Sequence, residues 1–554
     1  MADLHALRRR ALGSAPVAVL ALGLLVLAGA LVAHARKLWF YGDDWAFLLH
    51  RSLRDDTLHT LFVPHNEHWS TIPVLVFRTL FALYGAGSYL PYAVMPIAAH
   101  LVAAALLFLV LRRAGLSPWV SVLTALTFAF LAGGAGAENT LWDFQVGFLG
   151  SAAFGVAALL ALQGWTRPWR IVAGVALVLA LMCSGMGIMV TGWAVLFVLL
   201  RRGLVPAVVT GVAPAVVYAV WYLAIGHGYS SAPAADLTVA PQAALNGLAD
   251  VWTSATGMAG AGPAVMIVLA AVVLLRRHTP DQFALGASGL VMAVGCFFAI
   301  GYARSGFGAD ALTAHHRYLY FALLMTTPAL GLAYQVAADQ LRLRPPAALL
   351  AWAVAAVVVC WVGLAQAALF AEQRAGAVQT VKNRLVAARE VATSGERLLT
   401  DSPDRFTDPD ITVDHLLGVL RGLPRGASAT TQARLDARAS LQVGVARDSF
   451  GLPSATAVSW SGFSGIGPGD HPLTSCATAT AGEGARIGFT SDDAGRQLRV
   501  TATGPLETGI AAKGGLSALG GWRYGSEPLY VGVTAPGVRA RVYVPPGPVT
   551  VCPG

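Results

Sequence analysis

Residues 171–200 read IVAGVALVLALMCSGMGIMVTGWAVLFVLL, thirty positions without a charge, with Arg170 before them and Arg201 and Arg202 after. A helix crosses the roughly 30 Å hydrocarbon core in about 20 residues, so the run is long for one pass and short for two. Cys183-Ser184-Gly185-Met186-Gly187 interrupts it midway. Basic residues stay on the cytoplasmic side of a membrane. One long helix would export Arg201, Arg202, Arg276 and Arg277, whereas two short helices folded back on each other keep every arginine cluster inside. The stretch reads as a hairpin.

Outward from it, uncharged runs lie at 11–33 behind Arg8, Arg9 and Arg10, at 88–111 before Arg112 and Arg113, at 117–136 and at 146–163. Beyond it they lie at 204–225, 262–275, 283–303, 318–338 and 346–370. The first run is long for a signal peptide and lacks a small-residue cleavage site, so it reads as an anchor with its N-terminus inside. With the hairpin there are about eleven spans, and the odd number places the chain after residue 370 outside. Residues 71–84, with Pro73 and a central Arg78, are too short to cross and read as a helix lying at the interface.

Composition agrees. Charged residues are 12% of the chain, against about 25% in soluble domains. Residues 1–370 hold 33 of them and the 184 that follow hold 34, so the second part reads as soluble. The net charge of +9 is no sign of nucleic acid, because 20 of the 38 basic residues cap hydrophobic runs as topology signals. Residues 371–440 have helical patterning, and 441–554 are rich in Gly, Thr, Ser and Val with short alternating runs, the pattern of a β-sandwich. Cys476 and Cys552 are the cysteines of that part and a candidate disulfide if it is extracytoplasmic; Cys183, Cys296 and Cys360 read as buried in spans. The expected fold is an α-helical polytopic membrane domain over 1–370, a helical connector and an extracytoplasmic β-rich domain.

The outer loops, 35–87, 137–145, 226–261 and 304–317, carry the chemistry. Ten of the thirteen acids in the membrane part fall on the outer side: Asp43, Asp44, Asp55, Asp56, Glu67, Glu138, Asp143, Asp236, Asp250 and Asp310. No topology rule requires that excess. Asp43 and Asp44 sit between Tyr41 and Trp45, where repulsion and partial desolvation raise a carboxylate pKa toward that of a base. His65, Asn66, Glu67, His68 and Trp69 follow before the interfacial helix. His65, Glu67 and His68 are ligand types for a divalent metal, Mg or Mn, but match no zinc signature; phosphate or sugar hydrogen bonding and a plain structural loop are the other readings. Glu138, Trp142, Asp143 and Gln145 set acids and an amide beside aromatic faces, a combination suited to sugars. Arg304, His315, His316 and Arg317 precede a late span on the side where the charge rule disfavours arginine, which fits an anionic partner or snorkelling to headgroups.

On these residues the chain resembles the C-type glycosyltransferase superfamily (GT-C), multi-spanning enzymes that use polyprenyl-phosphate-linked sugars. The resemblance rests on Asp43-Asp44, the interfacial helix, the acidic second loop and Arg317-Tyr318. The outer C-terminal domain looks like those of actinobacterial cell-envelope transferases. The resemblance implies a plasma-membrane enzyme that transfers sugar to an envelope glycan, lipid or protein with inversion. Asp43 or Asp44 would be the base, Arg317 with His315, His316 and Arg304 would hold the donor phosphate, and the loop acids would bind sugar hydroxyls. A secondary transporter, a non-catalytic envelope assembly protein and a polysaccharide ligase are the rival readings.

Overall fold

The computed structural model describes residues 2–49, 51, 58–229, 236–307, 316–340, 345–403, 411–418, 429–512, 515–517, 520–522 and 527–554. Two compact units emerge: Met1–Leu38, Arg51–Leu83 and Tyr89–Ala375 form one, and Trp39–His50, Tyr84–Ser88 and Gly376–Gly554 the other. Asp55, Asp56, Asp310 and His315 lie outside the described residues.

In chain order the helices to residue 392 are α1 (Ala2–Ala35), α2 (Asp44–Leu49), α3 (Leu58–Phe62), α4 (Thr71–Tyr84), α5 (Leu90–Arg113), α6 (Pro118–Ala135), α7 (Ala137–Leu141), α8 (Val146–Gly164), α9 (Arg167–Leu181), α10 (Met186–Arg202), α11 (Leu204–Ala224), α12 (Ala240–Thr256), α13 (Ala261–Leu275), α14 (Pro280–Ala303), α15 (Leu319–Gln340) and α16 (Pro345–Ala392). Among the described residues eight are long and apolar enough to cross a membrane, namely α1, α5, α6, α8, α11, α14, α15 and α16. A ninth arises if α12 and α13, bent by 103° at their junction, count as one. Of the eleven expected spans, the other three are short: α9 and α13 have 15 residues and α10 has 17. Residues 71–84, too short to cross, form the helix α4 over the expected residues.

Local chemistry sets several boundaries. Thr279 and Gln282 close a capping box at the start of α14, and Ser117 caps α6 ahead of Pro118. Gly257 and Gly260, at φ 70° and 75°, make the elbow between α12 and α13, a left-handed backbone that glycine adopts without strain.

Side-chain contacts show the α9–α10 hairpin. Against α8, Ser151 Oγ donates to Ala180 O at 2.8 Å and lies 3.0 Å from Ser184 Oγ, while Gly155 abuts Val190 and Gly164 abuts Trp169. One helix therefore runs antiparallel to α8 and the next parallel to it. At the far end Arg170, from the start of α9, and Arg202, from the end of α10, both lie over the Trp165 ring, at 5.6 and 4.8 Å. The chain goes out and returns.

Small residues let helices touch at the backbone. A Cβ on Gly134 of α6 would lie 2.5 Å from Gly363 O, and one on Gly363 of α16 would lie 2.1 Å from Phe130 O. His100, buried in α5, is satisfied on both sides: Nε2 donates to Ala129 O at 2.8 Å, which leaves Nδ1 to accept from Tyr320 OH at 2.9 Å. This imidazole ties α5 to α15 and packs against Phe128 and Tyr320.

The second unit holds α17 (Val413–Gly418), α18 (Thr431–Gln442) and an all-antiparallel sheet of β1 (Val443–Ala446), β2 (Ala457–Ser464), β3 (Gly469–Pro472), β4 (Ala477–Thr490), β5 (Arg496–Thr501), β6 (Leu506–Ala512), β7 (Gly515–Leu516), β8 (Gly520–Trp522), β9 (Leu529–Val533), β10 (Arg539–Tyr543) and β11 (Gly547–Pro553). The order is β1-β9-β5-β11-β4-β10-β6-β7. The sheet forks at β4: residues 477–481 pair with β11 and 486–490 with β10. Both branches feed one core, with Val443, Leu498, Val531 and Val551 from the first and Ile487, Ile510, Ala540 and Val542 from the second. The expected β-rich domain is an antiparallel sheet whose two branches, joined through β4, enclose one core. Cys476 and Cys552 form the expected disulfide across β4 and β11.

Candidate functional site

In the helical unit the His65–His68 loop closes on itself. His65 N–H donates to His68 O at 3.0 Å and His68 N–H to His65 O at 2.9 Å. Asn66 supplies the left-handed residue at φ 52°, which its short polar side chain tolerates. The loop is anchored on both sides. Trp69 Nε1 donates to Thr71 Oγ1, and Thr71 Oγ1 to Leu61 O, both at 2.7 Å. The Trp69 ring stacks on Trp221 at 4.9 Å and 2°. Arg78, buried in α4, donates from Nε to Arg51 O at 2.8 Å and also reaches Thr60 Oγ1.

This places Glu67 against Arg304, just past the end of α14, with N–O distances of 2.9 and 3.3 Å in a two-pronged pair. A second pair joins Arg317 to Glu138 of α7 at 3.5 Å. Asn139 holds the same turn, its Nδ2 donating to Arg317 O at 2.9 Å. About a quarter of each arginine side chain remains exposed, 24% in both cases, so both are steadied and still partly accessible.

His68 sits amid these charges. Burial pushes its imidazole down to about 4, with Arg304, His65 and Arg317 pushing the same way and Glu67 opposing them. The ring is pressed by the tip of the α9–α10 hairpin, where a Cβ on Gly185 would lie 2.6 Å from His68 Nδ1. Ile72 N–H donates to Met182 O at 3.1 Å, tying α4 to the same tip. The hairpin break thus forms the floor under the loop.

The second loop supplies an aromatic wall. Trp142 lies against Phe144 at 5.3 Å, and Phe144 meets His65 edge-on at 5.1 Å. Tyr89 orders this segment, its hydroxyl donating to Leu141 O at 2.7 Å and accepting from Asp143 N–H at 3.1 Å. Asp143 and Gln145 are buried, and neither the oxygen nor the nitrogen of the Gln145 amide has a hydrogen-bond partner among the described residues. A buried amide with open bonding capacity is costly unless something fills it.

The structure therefore brings together Glu67, His68, Glu138, Arg304 and Arg317, with His65, Trp142 and Phe144 beside them. His316 stands exposed in the turn with Arg317. Asn139, Tyr89 and Gly185 also build the site; the Cys183–Gly187 break was the one sequence signal that pointed toward Gly185. Among the described residues no group of three His, Cys, Asp or Glu side chains stands ready to hold an ion. Glu67 pairs with Arg304 instead, and both imidazoles pack on aromatic rings.

Asp43 and Asp44 belong to the second unit. Asp44 opens α2, is fully buried, and accepts from Tyr41 N–H at 2.9 Å. Asp43 is half-buried. Trp39 and Trp45 pack edge-on at 5.3 Å, and Tyr41 and Trp45, the aromatic residues that flank the pair, are both buried.

No family model matches the chain, and no curated protein matches it. Among solved structures, the oligosaccharyltransferase of Archaeoglobus fulgidus, crystallised with Zn and sulfate, is similar at 16% identity and a TM-score of 0.38. That likeness covers 67% of this chain and 56% of the archaeal one, so the chain spans a little over half of its length.

Proposed function

We propose that this multi-pass membrane protein is an inverting glycosyltransferase that moves a sugar from a polyprenyl-phosphate donor to a cell-envelope acceptor on the outer face of the membrane. One observation carries the reading: two partly exposed arginine side chains, Arg304 and Arg317, each held by a carboxylate, in the same cluster as an aromatic wall and a buried amide. Preorganised cations stabilise charge that grows on a departing phosphate. The aromatic faces and Gln145 suit a sugar ring, whose C–H faces stack while its hydroxyls need donors and acceptors. The Cys476–Cys552 bridge supports an oxidising compartment for the second unit.

In this reaction a carboxylate takes the proton of the acceptor hydroxyl. The freed oxygen attacks the anomeric carbon, and the bond from that carbon to the phosphate oxygen breaks with its electron pair, releasing polyprenyl phosphate. Asp43, half-buried where Asp44 is fully buried, is the proposed base.

The test supplies the reconstituted protein with a radiolabelled polyprenyl-phosphate sugar. Arg317→Gln and Arg304→Gln should lower kcat by about 10²- to 10³-fold, the usual scale for one electrostatic donor. Asp43→Asn should lower it by about 10²- to 10⁴-fold, as for a general base, with melting temperature unchanged in all three. Wild-type rates in the arginine variants would overturn the phosphate assignment.

A further inference from the structure

A groove of about 500 Å³ runs between α9 and α11, in the part of the helical unit away from the site just described. Its walls are apolar, with Ile171 and Val175 of α9 facing Val209 and Ala213 of α11, and Arg167 and Arg170 stand at one end. The groove extends along α9 from Arg167 to Leu179, about 18 Å at 1.5 Å per residue. That is little more than one leaflet of a roughly 30 Å core.

The charged end is rich in arginine and tryptophan. Arg170 and Arg202 flank Trp165 at 5.6 and 4.8 Å, and Arg113 covers Trp169 at 5.5 Å, the aromatic and basic signature of a membrane interface. Arg201 is neutralised by Asp281. Among the described residues neither Arg167 nor Arg170 has an acidic partner, and both are exposed. The apolar stretch is kept open by Gly174, where an added Cβ would meet nothing within 4 Å. Glycine within a helix is destabilising relative to alanine, and here no helix contact accounts for it.

From this we infer that the groove binds an anionic phospholipid, one acyl chain lying along Gly174 and the phosphate between Arg167 and Arg170. Basic residues at the mouth of an intramembrane groove recognise such headgroups. Apolar walls alone would take any lipid; the arginine pair supplies the preference.

Native mass spectrometry of the full chain in detergent, with equal amounts of phosphatidylglycerol and phosphatidylcholine of matched chains, tests this. Phosphatidylglycerol should be retained over phosphatidylcholine by about fivefold or more, the scale of one or two basic side chains at an anionic surface. The double substitution Arg167→Gln, Arg170→Gln should bring the ratio to near one, and Arg167→Lys with Arg170→Lys should restore it. Gly174→Leu should fill the groove and reduce retention of both lipids. Equal retention by the wild type, or selectivity that survives the glutamine substitutions, would overturn the assignment. Displacement of phosphatidylglycerol by an equimolar polyprenyl phosphate would make the groove a donor subsite instead and overturn it too.

Discussion

At the scale of single residues, His68 gives the sharpest expectation. Its imidazole titrates near 6.5 when unfolded and near 4 in place. Between those values the unfolded chain binds a proton that the folded chain excludes, so acid favours unfolding. The full stability is present above pH 6.5 and is lost as pH falls toward 4, by roughly 1 to 3 kcal/mol. Melting temperature in detergent should therefore drop over this window, and His68→Gln should flatten the slope; an unchanged slope would show that other groups carry it. The residues themselves were legible from chemistry: acids and arginines gathered in outer loops pointed to Glu67, Glu138, Arg304 and Arg317. Their pairing was not, because Glu67 and Arg304 are 237 positions apart and only the fold brings them together. The ring packing of His65 on Phe144 and of His68 on Phe148 was not legible either, since spacing alone does not show which aromatic neighbour each ring meets.

Among the elements, charge at the ends of hydrophobic runs was enough to read the α9–α10 hairpin, while the α12–α13 elbow was not expected. Its makers, Gly257 and Gly260, are two glycines among sixty, and nothing local distinguishes them from glycines that pack. Glycines at helix crossings divide the same way. Gly363→Val should force α16 away from Phe130 O and cost about 1 to 3 kcal/mol, whereas Gly295→Ala in α14, where a Cβ meets nothing within 4 Å, should be neutral or slightly stabilising. Thermal melts of the two variants separate these outcomes, and equal melting temperatures would mean that the contact carries no weight.

For the whole molecule, composition sufficed to separate an apolar helical part from a more charged, β-rich part, because burying charge in lipid is costly. The forked sheet was less legible: alternation identifies strands but does not say which two share an edge of β4. The disulfide joins residues 76 apart, a loop whose closure is worth about 4 kcal/mol on chain-entropy grounds. Cys476→Ser with Cys552→Ser should make the 441–554 region of the full chain open to protease at lower temperature; identical cleavage profiles would remove the bridge from the account of its stability. The short helices have a consequence of another kind. At 15 residues each, α9 and α13 reach about 22 Å, and Val175, Ile267 and Leu275 on them are exposed. Two opposed leaflets, roughly 30 Å of hydrocarbon, exceed the apolar length of either helix, a mismatch that is met by local thinning, by snorkelling of flanking side chains or by association. Acyl-chain length thereby becomes one of the protein's solvent variables.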